Sequence, residues 1–287
     1  MNLKPKSIIH KGVTVDLPFI VHQARSASLY SLLDYEVACS LCDNEKFKPI
    51  IVKTSDGEKK AAGVVSAIDY KKTSLVPYLE WSFGIFVASN TNIPEIKFSN
   101  ETSLFFQSIM NDVAIGNSIF CPVLVLNETL PAEIGVDYYG YPKELGEIEY
   151  NYNDKVLHFN VSPKQDQWIM KASVPIKRSI FSKFNLLWAM IKAYGLSTSI
   201  KAMTQKEFSV TLLGSSKIVA KKAYMKIIND PNTEMFPWTN RDCMIEINPE
   251  SKWGKILLDL EFQPRLVCHV PNLQFDFSEP FDQEQNR

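Results

Sequence analysis

Glycine is scarce in this chain, with 11 glycines among 287 residues, whereas an average protein contains about 7% glycine. Loops that cradle phosphate groups need several glycines close together, and no GxGxxG motif occurs. Gly135 and Gly140 have the spacing that opens a P-loop, but Tyr141 and Pro142 follow where that motif requires a lysine and a hydroxyl residue. The sequence therefore argues against the common nucleotide-binding loops.

Neither sign of charge is in excess, because 31 lysines and arginines stand against 32 aspartates and glutamates. A nucleic-acid-binding protein normally carries a strongly basic surface. No apolar stretch approaches the ~18 consecutive residues of a membrane helix, and the longest one, 119–126, is interrupted by Pro122. We therefore expect neither a nucleic acid nor a membrane as a partner.

The cysteines are odd in number and widely scattered, at positions 39, 42, 121, 243 and 268. This pattern is not that of a disulfide framework, and it favours a reducing, cytoplasmic compartment. The Cys39-x-x-Cys42 pair lacks the second pair of ligands that a structural zinc site requires, so structural cysteines are the favoured interpretation. The motifs GxSxG and HExxH are also absent, which removes the commonest hydrolase and zinc-protease signals.

Short apolar or alternating runs, which are typical of strands, prevail along the chain. They cover 78–87, 119–126, 148–161, 168–174, 208–213 and 257–270. Helical spacing is found over 28–41 and 186–194. Many strands and few helices, without strand–helix alternation, predict an α+β fold with a closed or barrel-like sheet. We expect a single domain over 1–287, with an insertion at 89–118 and a frayed tail at 278–287.

One segment, 135–146, is unusual because a lysine directly follows a proline amid three tyrosines. Pro142 fixes its own φ and restrains Tyr141 to an extended conformation, so Lys143 leaves from a rigid platform. One interpretation is a surface turn with an exposed lysine, since lysine is rarely buried. The other is a desolvated lysine that acts as an amine nucleophile towards a carbonyl group. The spacing alone leaves both open, and the surface turn is the commoner case.

The same segment resembles a known family. The run Gly-Tyr-Pro-Lys-Glu-Leu-Gly at 140–146 is similar to the signature of the acetoacetate decarboxylase family. The run Tyr-Leu-Glu at 78–80 resembles the family's strand that contributes an active-site glutamate, and residues 254–277 are similar to its last strands. Arg25 stands where the family places an N-terminal arginine.

This resemblance implies three catalytic residues, Lys143, Glu80 and Arg25. Lys143 corresponds to the lysine that forms the Schiff base, and Glu80 to a proton donor or acceptor. Arg25 is expected to bind a substrate carboxylate, since a guanidinium binds a carboxylate through two hydrogen bonds. The resemblance further implies that neither a cofactor nor a metal is required.

Two departures from the family pattern bear on the substrate. The family's Gly-Arg-Glu triplet is Gly-Val-Asp at 135–137 here, and Glu144 replaces the second lysine of the decarboxylase proper. Because consecutive residues of an extended segment point to opposite faces, we expect Glu144 to face away from the site. These changes concern acetoacetate as the specific substrate more than they concern the chemistry of Lys143.

The resemblance implies an α+β fold built on a closed antiparallel β-barrel or cone with flanking helices, assembled into homo-oligomers. It also implies a Schiff-base-forming lyase that decarboxylates a small β-keto acid such as acetoacetate. Two alternatives remain open. One is a Schiff-base aldolase or dehydratase acting on another keto acid, and the other is a non-catalytic member of the same fold that binds a small molecule.

Overall fold

The computed structural model is described for residues 6–43, 46–91, 93, 95–97, 118–153, 155–176, 207–214, 222–228, 230 and 232–280. Three helices lie within these residues: α1 at Tyr35–Leu41, α2 at Thr129–Asp137 and α3 at Lys252–Asp259. The strands are β1 Lys6–His10, β2 Val13–Leu17, β3 Phe19–Asp34, β4 Phe47–Pro49, β5 Ile51–Lys53, β6 Lys59–Thr73, β7 Tyr78–Ser89, β8 Glu95–Lys97, β9 Ser118–Leu126, β10 Lys143–Tyr152, β11 Val156–Pro163, β12 Met170–Pro175, β13 Glu207–Gly214, β14 Lys222–Ile228, β15 Glu234–Pro237, β16 Met244–Ile247 and β17 Gln263–Phe277.

The described strands form one 15-stranded sheet and a separate hairpin of β1 and β2. The large sheet runs in the order β16-β12-β11-β10-β9-β13-β14-β17-β3-β6-β5-β8. Strand β15 pairs with β17, and β7 pairs with β4, β6 and β9. Most neighbours are antiparallel, but β9 is parallel to both β10 and β13, and β5 is parallel to β8.

The prediction of a closed antiparallel β-barrel or cone is therefore wrong. The sheet is mixed, and its path begins at β16 and ends at β8. The parallel pairs explain the error, because they join segments that are far apart in sequence, such as 118–121 with 211–214. Parallel strands are joined by a long crossover connection. The alternation of apolar and polar residues within one strand therefore does not show which distant strand it pairs with, or in which direction.

The helix predicted over 28–41 is wrong in its first half. Strand β3 continues to Asp34, and α1 begins only at Tyr35. This end of β3 is covered on both faces, so apolar residues occupy both faces of the strand and imitate helical spacing. The leucines concerned, at 29, 32 and 33, are all buried.

Other predictions about the elements had mixed outcomes. The helix at 186–194 and most of the insertion at 89–118 fall outside the described residues. Helix α2 was not predicted, and α3 occupies the start of the run 257–270 that was interpreted as a strand. The five cysteines are all free, and four of them are buried. In the part of the chain that the structure describes, no helix has the length and apolar character needed to cross a membrane.

Two apolar clusters fill opposite faces of the central strands. Along β9, Val123 and Val125 pack in the first cluster, whereas Leu124 and Leu126 pack in the second. Successive side chains of a strand point to opposite faces, so this alternation follows directly from the strand. The first cluster is the larger core, and the second surrounds a cavity.

The β1–β2 hairpin packs against the second cluster. Val15 and Leu17 of β2 are buried there and reach the cavity wall. Between the two strands of the hairpin, Lys11 forms an ion pair of 2.7 Å with Glu133 of α2. A largely exposed ion pair contributes only about 0–1 kcal/mol, so the apolar face of β2 is the main attachment of the hairpin.

Candidate active site

A cavity of about 80 Å³ lies inside the second cluster. Its wall consists mainly of aliphatic and aromatic side chains from the hairpin, α2 and the ends of several strands. Among the described residues, the charged side chains that line it are those of Lys143 and Glu80. No group of three or more His, Cys, Asp or Glu side chains is arranged to hold a metal ion in the described chain.

The connection between α2 and β10 carries Lys143 into this cavity. Helix α2 ends at Asp137, and Gly140 adopts a φ of 68°, which favours glycine. The backbone N–H of Lys143 then donates to the carbonyl of Tyr141 at 2.8 Å, which closes a tight three-residue turn around Pro142. These local constraints fix the direction in which the Lys143 side chain leaves the backbone.

Lys143 and Glu80 meet inside the cavity. The Lys143 Nζ donates a hydrogen bond to Glu80 Oε2 at 2.6 Å, and the two side chains are only 11% and 8% exposed. Lys143 begins β10 and Glu80 lies in β7, and β9 is a neighbour of both strands. The structure therefore excludes the interpretation of Lys143 as an exposed lysine on a surface turn.

The β6–β7 hairpin adds two tyrosines to this pair. Tyr70 of β6 lies opposite Tyr78 of β7, and their rings stack with centroids 4.2 Å apart. The Tyr70 hydroxyl donates to Glu80 Oε1 at 3.3 Å, so each oxygen of the carboxylate accepts from a different donor. Glu80 is therefore held in place from two sides.

The tyrosines at the cavity remain neutral phenols at ordinary pH. Burial raises the pKa of Tyr70 and Tyr78 well above the usual value, and the negative charge of Glu80 adds to this rise. Burial likewise raises the pKa of Tyr141 and Tyr139. The Tyr139 hydroxyl is buried and has no hydrogen-bond partner among the described residues. It is therefore a donor that a bound ligand can use.

Gly135 of α2 leaves room for the Lys143 side chain. A Cβ atom built at Gly135 would lie 2.3 Å from Lys143 Cδ and 2.6 Å from Lys143 Cε. Carbon atoms in contact are normally about 3.5–4.0 Å apart. Any residue other than glycine at this position would therefore displace the lysine side chain.

Arg25 does not line the cavity. Its neighbour Ala24 belongs to the cluster around the cavity, whereas the Arg25 guanidinium carbon lies 4.2 Å from the centre of the Tyr152 ring. In the β3–β6 ladder Arg25 pairs with Asp69. The structure thus brings Lys143 and Glu80 together but leaves Arg25 outside, and the carboxylate-binding role expected for Arg25 gains no support from its position.

Glu144 also lies outside the cavity wall. Burial raises the pKa of Glu144 above its usual value, while the positive charge of Lys252 and a hydrogen bond from Trp253 act in the opposite direction. Glu144 is thus engaged with the first turn of α3, which spans Lys252–Asp259. Its replacement of a lysine does not place a second carboxylate against the Lys143 amine.

Sequence reasoning missed two residues that shape the site, Tyr70 and Gly135. The signal for Tyr70 was available, because two alternating runs separated by a turn at Pro77 predict an antiparallel pair that sets Tyr70 opposite Tyr78. The signal for Gly135 was weaker. Its spacing from Gly140 resembles that of an incomplete P-loop, and it begins the Gly-Val-Asp triplet at 135–137, but no local pattern shows that a lysine packs on it.

The comparisons with known proteins concern the fold. No family model matches the chain, and no curated protein matches its sequence. A solved acetoacetate decarboxylase is 12% identical, with a TM-score of 0.56 over 93% of this chain and 91% of its own. The acetoacetate decarboxylase of Legionella pneumophila is 10% identical, with a TM-score of 0.56 over 92% of this chain and 86% of its own.

A third similar structure is the enduracididine biosynthesis enzyme MppR complexed with pyruvate. It is 10% identical, with a TM-score of 0.53 over 98% of this chain and 91% of its own. The chain therefore has the acetoacetate decarboxylase-like fold. This finding confirms the fold family expected from the Gly-Tyr-Pro-Lys segment.

Proposed function

We propose that this protein is a Schiff-base-forming lyase that decarboxylates a β-keto acid through an imine on Lys143. The observation that carries this proposal is the 2.6 Å contact between the Lys143 Nζ and Glu80 Oε2 inside an apolar cavity. An amine and a carboxylate in contact supply a nucleophile and a group that can move its protons. The acetoacetate decarboxylases of the same fold support this choice of reaction.

The reaction begins when the neutral amine of Lys143 adds to the ketone of the β-keto acid. Loss of water gives a protonated imine, which accepts the electron pair of the carbon–carbon bond as carbon dioxide leaves. The resulting enamine takes up a proton at carbon. Hydrolysis of the imine then releases a ketone and restores Lys143.

Glu80 is the group that moves protons in this scheme. Its Oε2 lies within hydrogen-bond distance of the Lys143 Nζ, so it can take a proton from the amine and return it when water leaves. General acid–base groups typically contribute about 10² to 10⁴-fold to a rate. Tyr70 holds the other carboxylate oxygen and thereby orients Glu80 without touching the reacting nitrogen.

A second candidate is a Schiff-base aldolase or dehydratase acting on another keto acid. The observation in its favour is that MppR, which shares the fold, was solved in complex with the condensation product of pyruvate and imidazole 4-carboxaldehyde. Both candidates begin with an imine on Lys143. They differ in the product, because only the decarboxylase releases carbon dioxide from a β-keto acid.

Borohydride trapping tests the imine directly. Hydride reduces the imine carbon, so the ligand remains attached to the lysine nitrogen by a stable bond that peptide mass mapping can locate. We expect acetoacetate and pyruvate to add mass at Lys143 alone. Lys143→Arg keeps a cation beside Glu80 and should abolish the adduct, whereas Lys164→Arg, at an exposed lysine, should leave it unchanged.

Adducts at other lysines, or equal labelling of the Lys143→Arg variant, would contradict the proposal. Carbon dioxide release from acetoacetate then separates the decarboxylase from the alternatives. An adduct at Lys143 without carbon dioxide release would favour the aldolase or dehydratase. Reversible ligand binding without any adduct would favour a non-catalytic binding protein.

A further inference from the structure

Apart from its reactive pair and its tyrosine hydroxyls, the described wall of the cavity is apolar. The described residues of the wall carry one cation and one carboxylate, Lys143 and Glu80, and these two groups are paired with each other. Phenylalanines, tyrosines and aliphatic side chains make up nearly all the rest of the wall, among them Leu17, Phe19, Met225, Phe275 and Phe277.

Among the described residues of this wall, a substrate carboxylate finds no arginine. Arg25 lies against Tyr152 and not in the cavity. Transfer of an ion from water into a protein interior costs several kcal/mol unless a partner compensates for it. Lys143, which must react as a neutral amine, is not such a partner at the start of the reaction. Apart from a hydrogen bond that the buried Tyr139 hydroxyl can donate, affinity for the substrate must therefore come mainly from burial of apolar surface.

We infer that the preferred substrate is a β-keto acid whose acyl chain is a hydrocarbon longer than the methyl group of acetoacetate. This inference rests on the proposed function. It extends that function because acetoacetate buries a single methyl group, whereas the wall offers apolar contacts on several sides. Each buried methylene contributes about 0.8 kcal/mol, which corresponds to about a fourfold gain in affinity.

The size of the cavity limits the chain. A water molecule requires roughly 10–15 Å³ of such a cavity, so the volume of about 80 Å³ has room for roughly five to eight water-sized groups, which restricts the hydrocarbon chain to a few carbons. The gain in affinity should therefore appear for the first added methylenes and level off when the chain extends beyond the cavity. Met225 is only partly buried and, as a flexible side chain, suits the contact with such a chain.

Calorimetric titration with 3-hydroxybutanoate and 3-hydroxyhexanoate tests the inference without any imine, because these ligands lack the ketone. We expect the longer ligand to bind about tenfold more tightly. Borohydride trapping with acetoacetate and 3-oxohexanoate should give the same order of half-saturating concentrations. The two measurements separate the preference for an apolar chain from the chemistry of Lys143.

Two arginine substitutions in β14, one in the cavity wall and one outside it, test whether the apolar wall sets this preference. Met225→Arg introduces a cation at the cavity wall, so the ratio of affinities for the long and short ligands should fall by about tenfold. Ile228→Arg places the same side chain on the same strand at a position that is 43% exposed and outside the wall. The ratio should keep its wild-type value in that variant.

Equal or weaker binding of 3-hydroxyhexanoate would overturn the inference, whatever the trapping shows. Trapping that favours acetoacetate over 3-oxohexanoate would overturn it as well, while the proposed function would stand. Tighter binding of the longer ligand without an adduct at Lys143 would support the inference but contradict the proposed function. The apolar preference would then hold, and the Schiff-base reaction would be wrong.

Discussion

Gly135→Ala is the change that examines the site most sharply. Gly135 lies in α2, and an added Cβ would come within 2.3 Å of Lys143 Cδ. Normal contact between carbon atoms is about 3.5–4.0 Å, so the Lys143 side chain must move by more than about 1 Å. The displaced chain can no longer keep its Nζ 2.6 Å from Glu80 Oε2.

The expected effects on activity and stability have different sizes. A misplacement of about 1 Å in an active site can cost about 10²-fold in rate, and we expect imine formation to slow by this amount. Alanine is about 1 kcal/mol more favourable than glycine within a helix. This gain offsets part of the crowding around Lys143, so the free energy of unfolding should change by no more than about 1 kcal/mol.

The assay is the rate of borohydride-trapped adduct formation at Lys143, measured beside urea denaturation of the same samples. Val136→Ala is the matched control, because Val136 follows Gly135 in α2 and is 45% exposed. That variant should trap ligand at the wild-type rate. A Gly135→Ala protein that is as stable as the wild type and reacts equally fast would refute the reasoning. It would show that the position of Lys143 does not depend on the space at Gly135.

Two further variants examine the hydrogen bonds and the charges around the core. Tyr70→Phe removes the hydrogen-bond donor to Glu80 Oε1. Because a hydrogen bond to a charged group contributes about 1.5–3 kcal/mol, the rate of borohydride trapping should fall by about tenfold or more. The half-saturating ligand concentration should stay nearly constant. Equal rates would remove Tyr70 from the site. Burial lowers the pKa of His269 from 6.5 to about 4. Between pH 6.5 and pH 4, His269 therefore binds a proton in the unfolded chain and not in the folded chain. Stability should therefore fall by about 3 kcal/mol as the pH drops from 6.5 to 4, as urea denaturation can measure, and a His269→Gln variant with the same pH dependence would contradict this origin.

The sequence was informative about the turn that carries Lys143 and about the strand that carries Glu80, each taken separately. Pro142 before Lys143 indicated a rigid platform, and the structure has a tight turn there. Residues two apart in a strand lie on the same face, so the run Tyr-Leu-Glu at 78–80 predicts that Tyr78 and Glu80 point the same way, and both reach the cavity wall. These features depend on neighbours in sequence, which is why local patterns could predict them.

The face on which Arg25 lies could not be predicted in the same way. The β3–β6 ladder changes register between Val21 and Gln23 and again between Gln23 and Ala24. An irregularity of this kind inserts a residue and reverses which side chains face the core. Nothing in the sequence around Arg25 marks where the register shifts, so alternation counted along the strand does not give its direction.

The meeting of Lys143 with Glu80 depends on β9, which lies between β7 and β10. Leu124 pairs with Ser82 of β7 in an antiparallel ladder and with Lys143 of β10 in a parallel one. A slip of one residue in either ladder would send Lys143 or Glu80 to the opposite face. A slip of two residues would keep the face but move one side chain by about 7 Å along its strand, far more than the 2.6 Å contact allows. The reactive pair is therefore a property of two long-range registers, and a substitution that shifts either of them should abolish imine formation even when the strands themselves persist.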